Sequence, residues 1–389
     1  MGGGLIQLAT KGAQDVYLTG DPSVTFFKIA YKKHTNFARE NVPIIADKKF
    51  AQGSKAIFTI SRNADMVGAM YLHFVLNSKT TNDDNERKYA TYINFIDILI
   101  GGNLIDRQYG TFLDIWHDLT IPSDKMGGMI HNRRKYTTGT LTPSPGTLEL
   151  MGNNSIGTHN DSSTNPTVVI PLNFWFNKNT GVSLPLISLI YHQVTIEVNF
   201  SPTTTSLMDD STDQYLLVDY FYLDSAERDI FANQNHEYLI EQVQYEEHDE
   251  GTEKTSTIYA DFSFNHPIKE ILWTCEDDNK VSITKFNSAH FSLNGTKLTT
   301  NHPSVNFSHL EPIKFHTRIP PHGDVFLHSF SLRPEEYQPS GTCNFSRIDT
   351  AQLIIKPSSN NAIRRVYIYA TNYNILKLQS GFGALAFSS

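Results

Sequence analysis

Apolar and polar residues alternate at every second position along much of the chain. The clearest segment is IYADFSF at residues 258–264, where four apolar side chains fall on one face of an extended strand. Similar alternation occurs at residues 193–200 and 289–296, and the latter reaches Asn294-Gly295, a strong signal for a tight hairpin turn. The pattern predicts half-buried strands paired in antiparallel sheets.

Turns and short helices complete the predicted elements. Residues 93–110 contain two apolar runs split by Gly101-Gly102-Asn103, which predicts another hairpin. Helical spacing of apolar residues is found at 112–119 and at 225–234, and we expect Ser225 to be the N-cap of the second helix. The chain is therefore predicted to be all-β with a few short helices.

Two breaks divide the chain. Residues 139–167 are rich in Thr, Ser, Asn, Gly and Pro, which bury little apolar area, so we expect a long surface loop. The short helix at 225–236 separates two strand-rich halves. We therefore expect an N-terminal arm (1–22), a first domain at 23–224 and a second domain at 237–389. Each half has enough strand-like segments, about eight, for a β-sandwich closed by Greek-key connections.

Composition narrows the function classes. The 389 residues carry a net charge of −8, and the basic residues occur only in short groups, which argues against nucleic acid as a direct ligand. Charged residues make up 19% of the chain, below the roughly 25% of an average soluble protein, so we expect partners to cover part of the surface. The N-terminus lacks a signal-peptide pattern, and no apolar run approaches the roughly 20 residues of a membrane span.

The segment SFSLRPEEYQPSGTCNFSRID at residues 329–349 is the strongest candidate for chemistry, because Cys343 lies near two glutamates. A nucleophilic cysteine needs a histidine base and a depressed thiol pKa. Pro334, Pro339 and Gly341 instead favour a loop between two strands, with Cys343 as a small apolar residue of the second strand. We expect Cys343 and the other cysteine, Cys275, to be reduced.

The histidines and glycines do not form the common metal or cofactor motifs. None of the 15 histidines has a partner two positions away, and His-Glu-x-x-His is missing. The opening glycines are not followed by the Lys-Ser or Lys-Thr of a phosphate loop. The sequence therefore predicts no catalytic residues, no metal and no cofactor.

Six Asn-x-Ser/Thr sequons raise the question of attached sugars. Asn153, Asn160 and Asn294 are the candidate glycosylation sites, the first two because they lie on the predicted surface loop. The pattern often arises by chance, so it is weak evidence by itself.

Separated stretches in a fixed order carry a family resemblance. They are GGGLIQLATKGAQDVYLTGDPSVTFFKIAYKKHTNFA at residues 2–38, and residues 171–196, 223–244, 329–349 and 373–389. Together these resemble the major capsid proteins of the nucleocytoplasmic large DNA viruses, in particular the phycodnavirus-like and mimivirus-like branches.

The resemblance implies a fold and an assembly. The fold would be two consecutive eight-stranded jelly-roll β-sandwiches, and three chains would form a pseudo-hexameric capsomer in an icosahedral shell over an internal membrane. Implied partners are neighbouring capsomers, minor capsid proteins and the membrane at the inner face, with glycans on the outer loops. The protein would be a non-enzymatic virion component assembled in the host cytoplasm.

The resemblance also implies that residues 329–349 form a structural connector. Pro334 and Pro339 would fix the backbone, Gly341 would permit an unusual backbone angle, and Cys343 would be a core thiol. Arg347 and Asp349 would pair across the turn.

A second class of function uses the same kind of fold. Jelly rolls also bind or cleave carbohydrates, and Trp175, Tyr191 and Trp273 together with the paired acids are the residues that would serve this. Sugar stacking requires exposed aromatic rings beside carboxylates, whereas Trp175 lies in an apolar context that favours a core position. The capsid interpretation is therefore preferred.

Overall fold

The computed structural model describes residues 3–47, 55–75, 90, 92–122, 167–201, 214–321, 323–358 and 361–387. The chain forms two compact units, Met1–Asn36 and Phe37–Ser389. The first unit contains two short helices, α1 (Gly4–Ala9) and α2 (Val16–Thr19).

The arm is longer than the sequence suggested. We expected the first domain to begin at residue 23, but its first strand begins at Phe37. Among the described residues, no β-ladder includes residues 23–36. The first compact unit ends at Asn36, so residues 23–36 group with the arm.

The first half of the larger unit is a sandwich of two antiparallel sheets. Its strands are β1 (Phe37–Ile45), β2 (Lys55–Ile60), β3 (Met66–Val75), β4 (Ile93–Ile100), β5 (Asn103–Tyr109), β6 (Thr167–Pro171), β7 (Leu184–Pro185), β8 (Val194–Phe200) and β9 (Tyr215–Leu223). One sheet has the order β1-β9-β3-β6 and the other β2-β8-β4-β5, with the short β7 pairing to β3. This interleaving of early and late strands is the jelly-roll topology.

The second half repeats the same topology. Its strands are β10 (His236–Lys254), β11 (Ile258–Phe262), β12 (Pro267–Glu276), β13 (Phe286–Leu293), β14 (Thr296–Lys297), β15 (Phe326–Ser329), β16 (Cys343–Asn344), β17 (Ala351–Pro357), β18 (Ile363–Gln379) and β19 (Phe382–Leu385). The sheets run β10-β18-β12-β15 and β11-β17-β13-β14, with β16 and β19 as short additions. The prediction of two consecutive jelly rolls is confirmed.

The helices of the larger unit are short and lie mainly in the connections. They are α3 (Gly110–Thr120), α4 (Trp175–Lys178), α5 (Ser225–Asn233) and α6 (Glu311–Phe315), with 3₁₀ turns at Thr180–Val182, Leu186–Ser188 and Phe345–Arg347 and a π-helical turn at Asn306–Leu310. The two predicted helices are present as α3 and α5. No helix in the described part of the chain is long and apolar enough to cross a membrane.

The N-cap of α5 differs from the prediction. Asp224 has an extended backbone and its Oδ1 accepts the backbone N–H of Ser225 at 2.8 Å. Ser225 is therefore the first residue of the helix and Asp224 is its cap, since a carboxylate serves this position as well as a hydroxyl does.

Both predicted hairpin turns are confirmed. Asn294 and Gly295, between β13 and β14, have φ angles of 48° and 75°, and Gly101 and Gly102, between β4 and β5, have 60° and 82°. Positive φ at two successive positions matches the right-handed twist of the flanking strands, which explains the choice of Asn and Gly.

Each sandwich encloses an apolar core. Trp175 lies in the first core and Trp273 in the second. The first core also includes three residues of the second half: Ile240 of β10, and Leu376 and Leu378 of β18. The two sandwiches are therefore packed together and share side chains.

Candidate functional site

The two jelly rolls meet around helix α3, which follows β5. Leu113 points into the first core, while Phe112, Ile115, Trp116 and Leu119 face the second jelly roll. Their partners there are Leu272 of β12, Val325, Leu327 of β15 and Tyr369 of β18. The polar residues Asp114, His117 and Asp118 of α3 are buried as well, so the helix is covered on nearly all sides. We call this contact region the junction.

A buried charge cluster lies beside α3. Glu241 of β10 accepts hydrogen bonds from Lys178 at 2.8 Å and from Lys269 of β12 at 2.5 Å. Lys269 also donates to the carbonyl oxygen of Pro334 at 2.6 Å. Both ammonium groups lie over the ring of Trp116, 4.2 and 5.4 Å from its centroid, so the cluster is attached to α3 by cation–π contacts.

The electrostatics of this cluster follow from burial and pairing. Burial alone would raise the pKa of Glu241, but the two lysines outweigh it and lower that pKa to about 2. Burial lowers the pKa of Lys178, and the carboxylate of Glu241 opposes this change. Each of these groups therefore stays ionised because of its oppositely charged partners, as is usual for ions removed from water.

His316 forms a second buried ionic group at the junction. Its Nε2 is 3.0 Å from Oε2 of Glu270 and its Nδ1 is 2.9 Å from Oε1 of Glu335. Burial lowers the pKa of His316, but the two carboxylates more than compensate and raise it to about 9. With both ring nitrogens facing carboxylates, the imidazolium is the form that satisfies every contact.

Residues 329–349, which we call the strap, lie along this junction, where Tyr337 packs against the first core. The Pro334 carbonyl binds Lys269, Glu335 binds His316, and the Tyr337 hydroxyl donates to the Leu239 carbonyl at 2.7 Å. Gly341 has a φ of 135°, and a Cβ there would lie 2.7 Å from the Phe330 carbonyl oxygen. The prediction that Gly341 adopts an unusual backbone angle is confirmed.

Both cysteines are free thiols that pack in the second jelly roll. Cys343 is half-buried at the edge of β12, where it pairs with Ile268 and packs against the second core. Cys275 is fully buried in the same core. Burial raises the pKa of both thiols, which is the opposite of what an activated nucleophile needs.

The predicted pairing of Arg347 with Asp349 is wrong. Both residues are exposed, and no ion pair joins them in the part of the chain that the structure describes. The backbone N–H groups of Asp349 and Thr350 instead donate to Oδ1 of Asn294. The hairpin asparagine, not an ion pair, holds this end of the connector. Pro339 is exposed, whereas Pro334 is buried.

Of the three candidate glycosylation sites, the structure describes only Asn294. Asn294 is exposed, with its amide oxygen engaged by the two backbone groups of the connector. Asn153 and Asn160, with most of the predicted surface loop at 139–167, lie outside the described residues.

The residues proposed for carbohydrate binding are dispersed. Trp175 and Trp273 are enclosed in different cores, and neither ring is accessible to a sugar. Tyr191 is exposed but stacks on Phe382, with ring centroids 5.0 Å apart. In addition, the described residues contain no group of His, Cys, Asp or Glu side chains suited to a metal ion.

Several junction residues gave no functional signal in the sequence. Asp106 of β5 accepts the backbone N–H of Val243 of β10 at 3.0 Å, and burial raises its pKa to about 6. Gln242 binds the Ile105 carbonyl beside it. His192, which precedes β8, contacts the backbone of Gly383 in β19. The only sequence signal is the position of charged residues inside apolar strands, as in PIKEILW at residues 267–273.

Two jelly rolls of identical strand order, joined by a buried helix and a buried ion-paired cluster, define a double jelly-roll protein. The model for the N-terminus of major capsid proteins matches residues 25–240, and the model described as large eukaryotic DNA virus major capsid protein matches residues 227–384. The chain belongs to this family of viral capsid proteins. It is 36% identical to the major capsid protein of Pyramimonas orientalis virus, over the full length of both chains.

Solved structures agree with this assignment. VP54 of PBCV-1 is 26% identical, with a TM-score of 0.75, and the match covers 94% of this chain and 100% of that one. The Faustovirus major capsid protein, at 12% identity and a TM-score of 0.69 over 95% of this chain and 94% of its own, shares the fold. The family resemblance seen in the sequence is therefore confirmed.

Proposed function

We propose that three copies of this chain form a pseudo-hexameric capsomer, which tiles the icosahedral shell of a large DNA virus. The repeated strand order carries this proposal: each chain contributes two sandwiches of the same topology, so three chains place six similar sandwiches around one axis. The role is structural, without catalysis, and the assembly takes place in the host cytoplasm.

In this proposal the arm and the loop at residues 139–167 lie at opposite ends of the capsomer. We place the arm at the inner end, against the internal membrane or minor capsid proteins, because its apolar side chains, including Leu8, Tyr17 and Phe27, are largely exposed. The loop at residues 139–167 belongs at the outer end, and glycans at Asn153 and Asn160 would lie there. Neighbouring capsomers contact the sides.

Light scattering after size exclusion tests the trimer. The purified chain should give three times 43.9 kDa at micromolar concentration and physiological salt. A monomer under these conditions would contradict the proposal. The measurement also separates the capsid role from a carbohydrate-binding sandwich, which has no need of three copies.

A further inference from the structure

The two jelly rolls carry equivalent helical segments with different surroundings. In the first, α3 lies between β5 and β6, and in the second, the π-helical turn and α6 lie between β14 and β15. Each segment is anchored in its own core by one apolar residue, Leu113 or Phe307. The two segments are therefore topological counterparts.

The apolar residues that follow each anchor have the same spacing. Trp116 and Leu119 lie three and six residues after Leu113, and Leu310 and Ile313 lie three and six residues after Phe307. Trp116 and Leu119 are 5% and 0% exposed, because the second jelly roll covers them. Leu310 and Ile313 are 43% and 60% exposed. The second segment thus presents an apolar edge that lacks the cover its counterpart has.

The outer faces of the two corresponding sheets also differ in whether they are covered. The sheet β10-β18-β12-β15 meets α3 through Leu272, Leu327 and Tyr369, all almost fully buried. Its counterpart in the first jelly roll, β1-β9-β3-β6, carries apolar and aromatic side chains on the matching outer face. We call these residues the receiving face: Ile45, Tyr71, His73, Tyr215 and Leu217.

The receiving face is still accessible in the single chain. Ile45 is exposed, and the other four residues retain partial exposure. Tyr71 pairs with Leu217 across β3 and β9, as Leu272 pairs with Tyr369 across β12 and β18. Within the chain, one helical segment packs on the sheet of the other sandwich. The second helical segment and the receiving face are the two sides of an equivalent contact that a single chain does not make.

We propose that the edge formed by Leu310 and Ile313 of one copy packs on the receiving face of a second copy, repeating between chains the contact that α3 makes within the chain. The proposal rests on the proposed capsomer and identifies its interface. The edge is continuous with the intrachain junction, since α6 is followed directly by His316, whose ring is 6.3 Å from that of Trp116. A head-to-tail contact gives a closed ring when its rotation closes, and the proposed capsomer requires closure at three copies.

Ile313→Asp tests the edge, because a carboxylate buried against apolar side chains is strongly unfavourable. The side chain is exposed in the single chain, so the variant should fold. Its mass by light scattering should fall from three times 43.9 kDa to 43.9 kDa. Val281→Asp is the matched control: Val281 is 49% exposed but lies in the loop between β12 and β13, and this variant should stay trimeric.

The outcomes separate this interface from the capsomer itself. A trimeric wild type with a trimeric Ile313→Asp variant would overturn the interface while leaving the capsomer intact. A monomeric wild type would overturn the capsomer.

Cross-linking tests the same contact by the proximity of its two sides. Ile313→Cys and Leu217→Cys are combined in a Cys343→Ser background and treated with a flexible bis-maleimide. The double variant should give covalent dimers and trimers on a denaturing gel, and each single variant should remain at the monomer mass. A trimer in solution that yields only monomers on the gel would contradict the proposed pairing.

Discussion

The carboxylate of Glu241 holds two lysines in place at the junction, and Glu241→Gln removes its charge while keeping its shape. The variant leaves Lys178 and Lys269 facing a neutral amide, although Lys269 is only 1% exposed. Breaking a buried ion pair by neutralising one partner typically costs about 3–5 kcal/mol, because the remaining charge is buried without compensation. We therefore expect a large loss of stability from a change of a single side-chain atom.

The structure gives an independent magnitude. The pKa of Glu241 falls from 4.5 to about 2 on folding, and at 1.36 kcal/mol per pKa unit this corresponds to about 3 kcal/mol of stability at neutral pH. Because the pKa of Glu241 is lower in the folded state, its ionised carboxylate stabilises the fold at pH values above 4.5, the pKa in the unfolded state. This contribution to stability is lost as the pH falls toward 2. The difference between wild type and variant should therefore be about 1 kcal/mol smaller at pH 3.5 than at pH 7.

Urea unfolding followed by tryptophan fluorescence measures this difference, since Trp116 contacts both lysines. Glu237→Gln is the control on the same strand. Glu237 is exposed and pairs with Lys377 at 3.1 Å, so its loss should change stability by less than about 1 kcal/mol. If Glu241→Gln matches Glu237→Gln, or if its effect is the same at both pH values, the cluster does not hold the junction as described.

Three other changes test separate parts of the structure. Gly341→Ala should lower stability by about 2 kcal/mol or more, because of the positive φ and the nearby Phe330 carbonyl, while Gly181→Ala, at an ordinary φ, should cost less in the same urea titration. Burial raises the pKa of Asp106 from 3.8 to about 6, so its protonated carboxyl stabilises the fold below pH 3.8 and this stabilisation is lost as the pH rises through about 6. The wild-type protein should therefore lose urea midpoint between pH 5 and pH 8, and Asp106→Asn should make this loss smaller. Cys275→Ser should cost about 1–3 kcal/mol and Cys343→Ser less, with both variants still trimeric by light scattering; a monomer would show a role for the thiol in assembly.

The local elements were largely predictable from the sequence. Alternation at residues 258–264 identifies β11, whose side chains are alternately buried and exposed. Asn294-Gly295 and Gly101-Gly102 identify their hairpins because few residues other than Gly and Asn tolerate positive φ. These features depend on neighbours in sequence, and pattern rules describe such neighbours well.

The junction was not predictable in the same way. Periodicity identified the α3 segment as a helix, but nothing local indicates that Trp116 would meet Lys269, more than a hundred residues away. The segment at residues 329–349 was expected to be a connector, but the contact expected at its end was wrong, because Asn294 takes the place predicted for an Arg347–Asp349 pair. Contacts between distant segments are determined by how the sandwiches pack, which alternation does not encode.

The sharing of core residues between the two halves has a consequence for biosynthesis. Leu376 and Leu378 complete the first apolar core, and Gly383 lies so close to Leu189 and Ile100 that a Cβ there would approach them to 2.8 and 3.1 Å. These residues follow Ile100 and Leu189 by well over a hundred positions in the chain, so they are synthesised much later than the strands they cover. The core of the first sandwich therefore stays incomplete until β18 has been synthesised, and during that interval the sandwich is a substrate for any chaperone that recognises exposed apolar strands.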